Sequence, residues 1–171
     1  DDVTIPEYLK MIEYKTAVLV GAAMKMGAII ANTSKKAQDH IYEFGRNLGI
    51  AFQLQDDYLD AFGNPKTFGK QVGGDIIENK KTFLYLKSLE FSNQIEAKEL
   101  EHLFSIHPKD PTDKIATVKS IFLESGAAQR TKEEIELFTQ KAFDVLAKLE
   151  ISEDKKWMLR KFGESLMQRE V

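Results

Sequence analysis

From about Lys35 to about Phe62 the chain reads as one long helix, and three carboxylates sit inside it. They belong to the stretch Gln53-Leu54-Gln55-Asp56-Asp57-Tyr58-Leu59-Asp60. At 3.6 residues per turn, Gln53, Asp56, Asp57 and Asp60 fall within about 100° of one another. The apolar residues Ile41, Phe44, Leu48, Leu59 and Phe62 gather on the opposite side, and Phe52 and Leu54 fill the flanks. Little of this helix is left to face water. A carboxylate removed from water must be paired or bound to a cation, because an isolated buried charge costs several kcal/mol or more. Such a set can hold a divalent cation and a phosphate-bearing ligand. It can equally be a solvated acidic stripe on an amphipathic helix, and the motif taken alone leaves both readings open.

Other features narrow the class. A length of 171 residues suits one domain or a piece of a larger one, and 43% apolar residues suffice for a substantial core. A formal net charge of -3 gives no basic footprint for nucleic acid. The absence of Cys rules out disulfides and thiolate metal sites, and a cytoplasmic location is expected. No run approaches the ~20 apolar residues of a membrane span, so no stable membrane insertion is expected. His40, His102 and His107 show no metal-ligand spacing.

Along the chain, Thr4 is suited to cap a helix running from about Glu7 to about Ala31, with Pro6 and Glu7 in its first turn. Its apolar stripe reads Tyr8, Met11, Lys15, Leu19, Ala22, Met26, Ile29, with Lys15 the one charge on it. The Lys15 ammonium either snorkels to water or points inward at an anion. Gly45 and Gly49 of the next helix lie near the face of Gln53 and Asp56; they keep that face clear for a ligand or admit a neighbouring helix. Gly63 to Gly74 is a glycine-rich loop carrying Lys66 and Lys70, suited either to cradle phosphate or to be an ordinary exposed loop. Asp75 is placed to cap a helix over Ile76 to Glu90. Helices are further expected over about Ser92 to Ser105, Pro111 to Ser125 and Lys132 to Glu150, with a last one capped by Ser152 or Asp154. No segment has strand periodicity and no repeat is present.

Three groups of residues carry a resemblance when taken in order. They are Tyr8-x-x-Met-Ile-x-x-Lys15-Thr16-Ala17; Phe44-Gly45-x-x-Leu48-Gly49-x-Ala51-Phe52-Gln53-x-x-Asp56-Asp57-x-Leu59-Asp60; and Gly69-Lys70-x-x-Gly73-x-Asp75 with Lys80-x-Thr82. In this order and spacing the chain resembles the trans-isoprenyl diphosphate synthases, with the short-chain farnesyl and geranylgeranyl types the nearest in flavour. The resemblance implies an all-α antiparallel helical bundle around a deep cavity. It implies a Mg²⁺-dependent prenyltransferase, in which an allylic diphosphate ionises and isopentenyl diphosphate attacks the carbocation. By the same resemblance Asp56 would bind Mg²⁺ directly, and Asp57 and Asp60 would hold metal-bound waters or a neighbouring group. Lys15, Lys70 and Lys80 would neutralise the allylic diphosphate, and Thr16 and Gln53 would direct oxygen atoms at the developing cation. A homodimer is the implied assembly.

One departure bears on activity. The family pattern has two Asp-rich motifs, and this sequence contains the second only; Asp1-Asp2 lacks the helical context of the first. The chain is therefore expected to be a single partial domain over residues 1–171, the C-terminal half of a synthase of about 300 or more residues, inactive without its N-terminal half. The alternative is a non-catalytic regulatory or structural subunit that binds a full-length synthase.

Overall fold

The computed structural model describes residues 3–64 and 72–168. Every regular element among them is a helix, as expected. In chain order these are α1 (Ile5–Ile12), a π-helical turn (Glu13–Ala17), α2 (Val18–Ile30), α3 (Lys35–Phe62), α4 (Gly74–Ile77), α5 (Phe83–Phe91), α6 (Gln94–Leu103), α7 (Thr112–Glu124), α8 (Ala127–Ala147) and α9 (Glu153–Met167). The described residues divide into two compact units. One combines residues up to Tyr8 with Leu54–Glu133, and the other combines Leu9–Gln53 with residues from Glu134 onward.

The first helix starts where the sequence places it. The Thr4 backbone N–H and hydroxyl both donate to Glu7 Oε2, at 2.9 and 2.7 Å. Its course then departs from expectation. The buried residues are Tyr8, Ile12, Ala17 and Gly21, a series with one five-residue step. That step is the π-turn, which takes in one residue more than an α-turn. The inserted residue rotates everything after it, so the expected stripe turns outward: Lys15 is exposed, and Leu19, Met26 and Ile29 are 70%, 56% and 49% exposed.

In the second unit, small residues bring backbones together. A Cβ on Gly49 would lie 2.6 Å from Ala17 Cα, and one on Gly45 would lie 3.0 Å from Gly21 Cα. Both glycines therefore serve to admit a neighbouring helix. Ile41, Phe44 and Leu48 of α3 form a core with Ala142, Phe143, Leu146 and Leu149. Gly163 of α9 lets that helix close on Phe143 and Leu48. Arg46 ties Glu13 and Glu43 together at 2.7 Å each, and Asp39 accepts from Lys25 and Lys35.

In the first unit, the expected helix over Ile76 to Glu90 is broken in two. Helix α4 stops at Ile77 because Asn79 takes a left-handed conformation, φ 54°. Lys80 N–H then bonds Asp75 O at 2.9 Å and Asn79 N–H bonds Ile76 O at 3.2 Å, the paired closure of a Schellman turn. Asp75 is not the cap: Gly73 holds that place at φ 85°, and Asp75 sits in the first turn. Helix α6 begins at Asn93, whose side chain accepts from Ile95 and Glu96 in a capping box. Gly126, at φ 84°, ends α7, and α8 begins at once, five residues earlier than Lys132, with Ala127 and Ala128 buried. Ser152 is the N-cap residue of α9 by position, without a side-chain hydrogen bond. No helix among the described residues is long and apolar enough to cross a membrane.

Candidate functional site

The C-terminal end of α3 supplies the acidic residues. Asp57 is buried, while Asp56 and Asp60 are half-buried. Asp57 Oδ2 accepts a hydrogen bond from the Tyr8 hydroxyl, itself almost wholly buried. Burial first, and the Asp57 charge second, push the Tyr8 hydroxyl far above its usual range, so it remains a neutral donor. Asp60 Oδ2 accepts the Asp75 backbone N–H at 2.8 Å, and Asp60 O accepts the Gly73 N–H at 2.6 Å. Residue Asp60 thus fixes the start of α4 through both its side chain and its carbonyl. Burial raises the Asp60 carboxyl above its ordinary value, opposed by the Asp75 N–H and by Lys80, and reinforced by the charges of Asp75 and Asp56.

Lys80 follows the Schellman turn and returns its ammonium to Asp75 Oδ1 at 2.6 Å. The bond to Asp75 raises its pKa, and the charges of Asp60 and Asp57 add to the effect. Asp57, Asp60, Asp75, Lys80 and Thr82 lie close together, with Phe104 and Phe122 among their apolar neighbours. Of the sequence-assigned residues, Asp57, Asp60 and Lys80 are thus brought together. Lys70, with Lys66, lies outside the described residues.

The second unit carries the rest. Thr16 stands on the π-turn and donates its hydroxyl to Gln53 Oε1 at 3.1 Å. Lys15 precedes it on the same turn and is exposed. Two residues of the first unit had received no site role from the sequence. Tyr8 reads as core, and Asp75 reads as a cap. The one signal available was their presence at fixed places in the quoted motifs.

Among the described residues, no group of three or more His, Asp or Glu side chains converges as a metal cage. Magnesium does not demand one. It is commonly held through one or two carboxylates, keeping waters and phosphate oxygens as its other ligands. The donors present are hard carboxylate oxygens, the type this ion prefers, so the residues fit it.

A family model described as polyprenyl synthetase matches residues 1–122. The geranylfarnesyl diphosphate synthase of Aeropyrum pernix is 33% identical over 148 residues, covering 86% of this chain and 45% of that protein. A crystal structure of a geranylgeranyl pyrophosphate synthase is 52% identical, with a TM-score of 0.93, covering 100% of this chain and 53% of that one. The structure of geranylgeranyl pyrophosphate synthase from Corynebacterium glutamicum, complexed with isoprenyl diphosphate and magnesium, is 26% identical, with a TM-score of 0.89 over 98% of this chain and 48% of that one. The chain thus spans about half the length of the relatives it matches. By the family model, and with the same all-helical fold as its solved relatives, the chain belongs to the polyprenyl synthetase family.

Proposed function

We propose that this chain is the C-terminal portion of a Mg²⁺-dependent prenyltransferase that condenses isopentenyl diphosphate with an allylic diphosphate. The observation that carries the reading is the end of α3, where Asp57 and Asp60 lie beside Asp75 and Lys80 and Asp56 stands one turn before Asp60 on the same helix. Carboxylates grouped in this way are the hard oxygen donors that suit Mg²⁺, and a bound cation in turn suits a diphosphate. Bound through Asp56, with Asp57 and Asp60 beside it, Mg²⁺ would supply charge stabilisation to the departing diphosphate.

The chain's own residues do the remaining work. Tyr8 and the Asp75 N–H hold Asp57 and Asp60 in place, each through one carboxylate oxygen. The Lys80 side chain is 61% exposed, and an ion pair this open is worth little, so its ammonium can turn from Asp75 to a diphosphate at small cost. Lys15 and Lys70 are assigned the same neutralising role, which acts where negative charge develops. Thr16 donates to Gln53 Oε1, and this pair is assigned to face the carbocation with its oxygen atoms. Apolar walls would keep water from quenching that cation. Pairing with a second copy belongs to the same reading: α2 leaves Leu19, Met26, Ile29 and Ile30 exposed, apolar surface suited to a partner.

With one Asp-rich motif in its sequence, the chain by itself is expected to make no product in a radiolabelled condensation assay. Supplying the upstream half, fused or as a separate chain, should restore turnover. In that restored enzyme Asp56→Ala should slow the chemical step about a hundredfold. Product from the chain alone would overturn the half-enzyme reading, and full activity of Asp56→Ala would remove the metal assignment.

A further inference from the structure

We propose that Lys114 is a positioning residue for the Asp75–Lys80 pair: its buried ammonium clamps the left-handed turn at Asn79 from which Lys80 emerges. Lys114 lies in the first turns of α7 and is only 3% exposed. Its Nζ donates to Asn79 Oδ1 and to Ile106 O, the latter at 3.0 Å, and lies 5.8 Å from the centre of the Phe104 ring. Both hydrogen-bond acceptors are neutral oxygens, and burial works against the ammonium more strongly than the Glu78 charge favours it. An ammonium held this way is costly to bury, and a Met of similar length would fill the space without that cost. Packing alone therefore gives no reason for a lysine here, whereas holding Asn79 does.

Asn79 is the other half of the clamp. Glycine is the least strained residue at a Schellman C′ position. Asparagine tolerates the conformation and adds an amide, and here every end of that amide is engaged. Its Oδ1 takes Lys114, its Nδ2 donates to Ile106 O at 3.3 Å, and the same nitrogen lies 3.1 Å from His107 Nε2. The turn so held contains the bonds from the Asn79 and Lys80 N–H groups back to α4. The next residue of α7 secures the opposite end of α4: a Cβ on Gly73 would lie 3.1 Å from Ile115. Adjacent residues of α7 thus hold both ends of the short helix that carries Asp75. Only the consequence for ligand binding rests on the diphosphate reading above; the clamp itself does not.

The test uses the whole chain with Lys114→Met, Asn79→Gly and both together. Amide hydrogen exchange is measured residue by residue. In Lys114→Met the Asn79 and Lys80 amides should exchange about tenfold faster or more, while Leu48 and Leu146 in the other unit keep their wild-type rates. The dissociation constant for pyrophosphate in saturating Mg²⁺ should rise about fivefold or more, and Lys114→Met should add nothing further in the Asn79→Gly background. Unchanged exchange at Asn79 and Lys80 would overturn the clamp. So would an acceleration shared equally by Leu48 and Leu146, which reports general loss of stability. If the wild-type chain binds no pyrophosphate, the diphosphate reading fails, and the exchange rates still decide the clamp.

Discussion

Tyr8 donates its hydroxyl proton to Asp57 from a position that is 2% exposed. Removing the hydroxyl leaves an aromatic ring of nearly the same shape against Phe83, whose ring centre lies 6.2 Å away. The packing survives, and what is lost is one donor to a buried carboxylate. Hydrogen bonds to charged groups contribute about 1.5–3 kcal/mol, so Tyr8→Phe should destabilise the chain by about 2 kcal/mol. Urea denaturation is the measurement, and an unchanged midpoint would show that Asp57 does not depend on Tyr8. The residue scale also marks where sequence reasoning ran out. Asp56, Asp57 and Asp60 stood out because charges interrupting an apolar helix demand an explanation. Tyr8 and Asp75 did not, because a tyrosine on a helix stripe reads as core and an aspartate before a helix reads as a cap. Their roles come from partners 49 and 15 residues away, which no local pattern encodes.

At the scale of elements, α3 was legible from Lys35 to Phe62, because its apolar spacing is regular throughout. The π-turn was not, because a single five-residue step leaves the same residue types in the same order and changes only which of them face inward. The break after α4 was missed for a related reason: Asn79 is a tolerable helix residue until its left-handed φ is known. Gly49 offers a test of the close approach between the π-turn and α3. Alanine is favoured over glycine in a helix interior by up to about 1 kcal/mol. Against that, its Cβ would lie 2.6 Å from the Ala17 backbone, which cannot swing away. Overpacking of this kind costs about 1–3 kcal/mol and in rigid surroundings it wins, so Gly49→Ala should be destabilising. A raised melting temperature would contradict the packing described.

A second element-scale prediction concerns Asp39 of α3, paired with Lys25 of α2 and with Lys35 of its own helix. Bonds from Lys25 and Lys35 hold the Asp39 carboxyl down at about 2. A carboxylate with a depressed folded pKa contributes its stability fully above the unfolded value and loses it as pH falls through the folded one. The stability difference between the native chain and Asp39→Asn should therefore be steady above about pH 4 and shrink between about pH 4 and pH 2. Denaturation curves for both chains across that range would check it. A difference that grew on acidification would reverse the sign.

At the scale of the molecule, the family and the all-helical class rest on motifs spread over the first half of the sequence and on the matched structures. The chemistry rests on one arrangement among the described residues: Asp57, Asp60 and Asp75 gathered beside Lys80, with Asp56 on the same helix. Carboxylates so grouped should bind a divalent cation weakly by themselves and more strongly when a diphosphate completes the ion's ligands. Isothermal titration calorimetry on the intact chain tests this directly, with Mg²⁺ titrated in the absence and presence of pyrophosphate. The expected result is that pyrophosphate strengthens Mg²⁺ binding, and that Asp56→Ala weakens the joint binding about tenfold or more. Equal Mg²⁺ affinities with and without pyrophosphate would contradict a diphosphate site in this chain.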